Sequence, residues 1–241
     1  MTPTSEEVLI FAIARMLTGV QRIAVGVSSP IPGSATLFHR ATSPDPVEVT
    51  VLNSTHLQSL NDGATELFDR AAQGRIEAFF LSGGQIDGQA NINLVGTGSY
   101  PRHDVRWSGS FGSAMLYYLV PRVILFRQEH SRRTMVKTVD FISAPGTSDP
   151  GVYRPGGPFG LVTGLGVFSF DRRAGRFSLL SVHAGHSLEE ILDNTEFAFD
   201  HAANPETTPA PSQSQLALLR STVAGQIADP YPEFAARVFG V

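Results

Sequence analysis

Three short β-rich runs alternate with helical periodicities in the first third of this chain, and that alternation constrains its fold more than any other feature. The runs are Ile23 to Val27, Val47 to Leu52 and Glu77 to Leu81. Between them Ala35 to Ala41 and Ala64 to Ala72 read as helices. Strands separated by helices run parallel, so the pattern predicts an α/β fold with a mostly parallel sheet covered by helices. A further helix precedes the first strand. Ser5 is its predicted N-cap, Glu6 and Glu7 suit the positive end of its dipole, and Val8, Leu9, Ala12, Ile13, Met16 and Leu17 recur at helical spacing until Gly19.

Later strands are expected at Val123 to Phe126, Val139 to Ile142, Gly160 to Phe170 and Phe177 to Val182. The last two are joined through Asp171-Arg172-Arg173-Ala174-Gly175 as an antiparallel hairpin. Ser187-Leu188-Glu189-Glu190 has capping-box spacing, so a short helix begins there and runs to about Asp193. The stretch Asn204 to Ser214 is rich in Pro, Thr and Ser and reads as a linker before a C-terminal helix over Gln215 to Val223. There is no internal repeat, and 241 residues with 42% hydrophobic content suit one large domain spanning 1–241.

Composition narrows the function. A net charge of −4 and scattered arginines provide no basic stripe for nucleic acid. Without cysteine there is no disulfide, thiolate metal site or cysteine nucleophile. The start has no basic region leading into an apolar stretch, and no apolar run nears the roughly 20 residues of a membrane span, so a cytoplasmic protein with no membrane partner is expected. No phosphate-binding Gly-x-x-x-x-Gly-Lys and no Gly-x-Ser-x-Gly elbow occurs, and Gly96-Thr97-Gly98 lacks the third glycine of a dinucleotide fingerprint. His183 and His186 have no carboxylate at zinc-protease spacing, so no metal site and no tightly bound cofactor are expected.

Two glycine-rich loops remain: Ser82-Gly83-Gly84-Gln85-Ile86-Asp87-Gly88 after a strand, and Ser108-Gly109-Ser110-Phe111-Gly112-Ser113-Ala114 before a helical stretch. Glycine allows close backbone approach to a ligand, and N–H groups at such a turn can hold an anion or a developing oxyanion; glycine also simply makes turns.

These loops carry a resemblance. Phe80-Leu81-Ser82-Gly83-Gly84-Gln85-Ile86-Asp87 with Asn91-Ile92-Asn93, then Trp107-Ser108-Gly109-Ser110-Phe111-Gly112, resemble the beta-type subunit of family I coenzyme A-transferases, particularly glutaconate coenzyme A-transferase. Gln128-Glu129-His130-Ser131-Arg132-Arg133, Asp140 to Gly146, Val162-Thr163 to Phe170-Asp171, His183-Ala184-Gly185 and Asp193 to Phe197 continue it in order, so that it covers roughly Ser5 to Asp200. The resemblance implies an open αβα sandwich of the coenzyme A-transferase fold. It also implies a homologous alpha-type partner subunit, in a heterodimer or heterotetramer, and an acyl-coenzyme A thioester as substrate.

In that family a beta-subunit glutamate attacks the thioester carbonyl, in a Glu-Ser-Gly or Glu-Asn-Gly context shortly after a Pro-Asp pair. Here the pair is Pro44-Asp45 and the expected position falls near Val51 or Leu52, where there is no carboxylate. Glu48 lies about three residues early, some 10 Å short of the strand end. It is either the displaced nucleophile or a polar residue at the strand start. Asn53, Ser54 and His56 occupy the following loop and either donate hydrogen bonds and move a proton or form a capped polar turn. Gly109, Ser110 and Gly112, with Gly83, Gly84 and Gln85, are the expected oxyanion and coenzyme A contacts. The resemblance leaves three activities open: a transferase, a hydrolase that opens a coenzyme A-linked β-dicarbonyl ring, and a non-catalytic partner.

Overall fold

Thr4, not Ser5, caps the first helix. In the computed structural model, which describes residues 2–241, α1 spans Ser5–Met16. The Thr4 hydroxyl accepts from the Glu7 amide while the Glu7 carboxylate accepts from the Thr4 amide. The cap falls one residue earlier than expected because only Thr4 stands three residues before a glutamate that can reach back.

The chain packs as two compact units, one formed by the residues up to Phe80 together with Pro209–Val241, the other by Leu81–Thr208. In the first, α1 leads to β1 (Arg22–Val25), α2 (Pro30–Thr42), β2 (Glu48–Val51), α3 (Gly63–Ala72) and β3 (Ala78–Leu81). β1 lies between β2 and β3 and is parallel to both, in register from Arg22 opposite Glu48 to Val25 opposite Val51. Only the first residue of β1 and of β2 is exposed, as for parallel strands covered on both faces. Helix α2 begins five residues before its expected start. Pro30 is tolerated in the first turn, where its missing N–H would have no partner, so the residues from Pro30 to Ser34, ahead of the expected helix, are helical too.

The second unit opens with two short antiparallel pairs, β4 (Gln85–Ile86) with β5 (Ile92–Asn93) and β6 (Gly96–Thr97) with β7 (Val105–Arg106), followed by α4 (Ser113–Leu119). A sheet follows: β8 (Arg122–Arg127) parallel to β9 (Pro158–Thr163), β9 antiparallel to β10 (Gly166–Asp171), and β10 antiparallel to β11 (Arg176–Val182). The run Gly160 to Phe170, expected as one strand, is thus two. The chain reverses at Gly164-Leu165, where a Cβ on Gly164 would collide with the Gln128 carbonyl.

Val139 to Ile142 is not a strand. The Val139 and Asp140 amides donate to the side chains of Asp87 and Gln85 rather than to a ladder. The hairpin at Asp171 forms as expected, its carboxylate accepting from the Arg173 and Ala174 amides. Ser187 caps α5 (Leu188–Asp193) by accepting from the Glu190 amide. Within the expected linker Asn204 to Ser214, β12 (Glu206–Thr207) pairs parallel with β11.

Back in the first unit, Ser212 and Gln215 form a reciprocal cap on α6 (Gln213–Leu218), which runs through a π-helical turn, Leu219–Val223, into α7 (Ala224–Ile227). A last helix, α8 (Pro232–Phe239), starts on Pro232 and ends at Gly240 with φ +76°. Sequence periodicity predicts a single helix in this region. The α/β class, the mainly parallel pairing and the late antiparallel hairpin are as expected. Among the described residues no helix is long and apolar enough to cross a membrane.

Candidate active site

In the first unit, one carboxylate organises the turn that follows β2. Val51 is buried and ends the strand, the Leu52 amide still donates to the Val25 carbonyl at 3.0 Å, and Asn53 turns into the left-handed region with φ +70°. The Ser54 hydroxyl donates to Asp229 at 2.5 Å and accepts from the His56 and Leu57 amides at 3.2 and 2.8 Å. Thr55 donates to the same carboxylate through its amide at 2.9 Å and its hydroxyl at 2.6 Å, and the His56 amide does so at 3.4 Å. The Ser54 and Thr55 hydroxyls, then the two amides, hold the Asp229 carboxyl down at about 2, so it is ionised throughout the neutral range.

This geometry separates the four candidates from the first unit. Ser54 is buried, and its hydroxyl spends its one proton on Asp229 and accepts two amides, so it closes the turn. Glu48 is the first residue of β2, with a 55% exposed side chain paired to Arg70 at 3.2 Å. Arg70 also holds Glu66 at 2.7 Å and the Ser59 carbonyl at 3.0 Å. Glu48 and Asn53 therefore stand at opposite ends of the strand. The Asn53 amide and the His56 ring are exposed and make no hydrogen bond among the described residues. They are the side chains the turn leaves available, an amide donor and a proton carrier.

The second unit explains its glycine loops largely by packing. A Cβ on Gly84 would stand inside the Trp107 ring, and one on Gly83 would lie 2.6 Å from the Gln85 carbonyl. Gln85 is buried. Its side-chain oxygen accepts from Asn93 at 2.8 Å and from the Asp140 amide at 2.9 Å, while its nitrogen donates to the Asp140 carboxylate at 3.2 Å. Asp87 accepts from the Gln89 and Asn91 amides and from the Asn91 side chain, whose oxygen takes the Gly146 amide at 3.0 Å. These polar residues weld the β4–β5 hairpin to the 139–146 segment.

The Gly109 turn differs. Gly109 has φ +103° with no atom within 4 Å of a Cβ position, and its amide donates to the Leu94 carbonyl at 3.1 Å. Glycine is required there by conformation rather than by space. Phe111 has φ +45° and is 91% exposed, and the Ser110, Phe111 and Gly112 amides have no acceptor within this unit. The next side chain, Ser113, has a buried hydroxyl without a partner.

Asp229 was not anticipated from the sequence. It lies 175 residues from Ser54 and past the end of the resemblance, with no local motif to mark it.

Known proteins share this chain's sequence pattern and fold. The coenzyme A transferase family model matches residues 45–194. The chain is 28% identical to the B-type subunit of the 3-oxoadipate CoA-transferase of Pseudomonas knackmussii over 249 residues, covering 92% of this chain and 94% of that one. It is 28% identical to the cholesterol ring-cleaving hydrolase IpdB subunit of Rhodococcus jostii over 162 residues, 66% of this chain and 63% of the relative. Among solved structures, the decarboxylase AibA/AibB superposes with a TM-score of 0.78 at 24% identity, covering 99% of both chains, and shares the fold.

Proposed function

This chain belongs to the coenzyme A transferase family as a B-type subunit, and from that premise we propose that, with an alpha-type subunit, it forms an enzyme acting on an acyl-coenzyme A thioester without a covalent glutamyl intermediate. One observation carries the reading: β2 ends at Val51 and is followed by Leu52 and Asn53, with no glutamate, and the one carboxylate at the turn, Asp229, is consumed by four hydrogen bonds. A carboxylate so engaged is a poor nucleophile.

What the turn presents instead is suited to carbonyl chemistry by water. The Asn53 amide donates to a carbonyl oxygen as negative charge develops on it, and His56 moves the proton. Hydrolytic opening of a carbonyl compound held as its coenzyme A thioester uses these two functions and needs no acyl acceptor. One relative is a hydrolase and two are CoA-transferases, so the choice of this branch over transfer rests on the turn and not on the relatives. In the second unit, taken by itself, the Ser110, Phe111 and Gly112 amides form a candidate oxyanion-binding turn.

The test is turnover of 3-oxoacyl-coenzyme A thioesters by the complex copurified with its alpha-type subunit. The expected outcome is product release in the absence of any acceptor acid, incorporation of oxygen from labelled water, and no mass change on this chain after borohydride quenching. A reduced glutamate at Glu48, together with strict dependence on an acceptor acid, would establish transfer and refute the proposal.

A further inference from the structure

The C-terminal segment from Gln226 to Tyr231 reaches the ends of two neighbouring strands of the first unit. Tyr231 donates its hydroxyl to the Gly26 carbonyl at 2.9 Å and accepts from the Ser29 amide at 3.3 Å, which places it on the loop after β1. Asp229 takes the turn after β2. Ile227 is fully buried, and its Cδ1 lies 3.0 Å from where a Cβ on Gly33 would stand, so the segment packs closely against α2 at that glycine. Gln226 accepts from Arg40 of α2 at 3.0 Å. The segment is thus anchored on one helix and spans two adjacent strand ends.

We infer that Asp229 is the positioning residue of the turn that carries Asn53 and His56. The inference rests on the reading of that turn as the reacting site. Four hydrogen bonds converge on the carboxylate from three consecutive residues, Ser54, Thr55 and His56. Asn53 holds φ +70°, a conformation its own unbonded side chain does nothing to maintain. The backbone is kept there from the far side, by the residues clamped to Asp229. Removing the carboxylate frees the Ser54 and Thr55 hydroxyls and the Thr55 amide together, and the direction in which Asn53 and His56 leave the strand end is no longer set. Catalytic groups must be held within about half an ångström of their productive geometry, so rate suffers before binding does.

The experiment compares Asp229→Asn, Asp229→Ala, Asn53→Gly and His56→Gln in the copurified complex. It measures amide hydrogen exchange over residues 53–57 and kcat and KM on whichever 3-oxoacyl-coenzyme A thioester the wild type turns over fastest. The expected result is at least tenfold faster exchange of the Thr55 and His56 amides in Asp229→Ala, a kcat at least tenfold lower, and KM within about threefold of wild type. Asp229→Asn, which keeps the shape and one acceptor oxygen, should fall between wild type and Asp229→Ala and covers the case in which the alanine variant fails to fold. Wild-type kcat or unchanged exchange in both Asp229 variants, with Asn53→Gly inactive, would overturn the inference and leave the site reading standing. Wild-type kcat in Asn53→Gly and His56→Gln would overturn both.

Discussion

Arg220 grips the buried carboxylate of Glu7 with two parallel hydrogen bonds, Nε to Oε1 at 2.6 Å and Nη2 to Oε2 at 2.7 Å, and so ties the C-terminal π-helical turn to the first turn of α1. Glu7 is 1% exposed and simultaneously closes the cap on Thr4. Burial works against its ionisation, and the Arg220 hydrogen bonds and charge together with the Thr4 hydrogen bonds outweigh that and keep its pKa low. Arg220→Met strands this carboxylate and should cost roughly 3 kcal/mol. In a chain of this size that lowers the melting temperature by about 5–10 °C, read by calorimetry. Glu7→Gln, which keeps an acceptor for the cap, should cost less.

His130 makes stability depend on pH. Its ring nitrogens meet the Thr163 hydroxyl at 2.8 Å and the Thr195 hydroxyl at 2.9 Å, and burial pushes its pKa down to about 4. The unfolded chain binds a proton near pH 6.5 and the folded one only near 4. The unfolded state therefore holds more protons between those values, and stability falls as pH is lowered through that window, by up to roughly 3 kcal/mol. Denaturant titrations at pH 7.5, 5.5 and 4.5 should show this loss, and His130→Gln should remove the His130 share of the slope.

Gly84 and Trp107 occupy one space. Gly84→Ala should destabilise by about 1–3 kcal/mol through overpacking, although alanine has no conformational objection to the site. In a Trp107→Ala background the same change should cost under about 0.5 kcal/mol, because the colliding ring is gone. A double-mutant cycle by urea denaturation measures the coupling, and additive effects would show that the collision is relieved elsewhere.

Asn53→Gly separates the side chain from its backbone. Glycine adopts φ +70° without strain, so the melting temperature should not fall, while kcat should drop by roughly 10²–10³ if the amide stabilises developing charge. Asn53→Ala should lose the same rate and in addition roughly 1 kcal/mol of stability from the left-handed backbone. His56→Gln should lower kcat by roughly 10²-fold.

The parallel βα alternation, the absence of a glutamate after β2 and the Asp171 hairpin were all legible in the chain, because each is written in residues close together in sequence. The split of Gly160 to Phe170 was not. Both halves are apolar and β-prone, and at the reversal the Gln128 carbonyl, just after β8, stands where a Cβ would go. α8 carries readable signals, Pro232 at its start and Gly240 after its end, but its eight residues are too few for periodicity alone to mark it.

The site divides along the same line. Sequence alone determined which residues follow β2 and that none of those in the turn is a glutamate, since residue type is a local property. The tertiary structure alone decided that Ser54 is spent on closing a turn, that Gln85 is bound into a buried network, and that Asn53 and His56 stand free. The physical reason is that a hydroxyl or amide is available for chemistry only if no neighbour has satisfied it. The neighbour that matters here, Asp229, reaches Ser54 across 175 residues of chain through packing that no local pattern encodes.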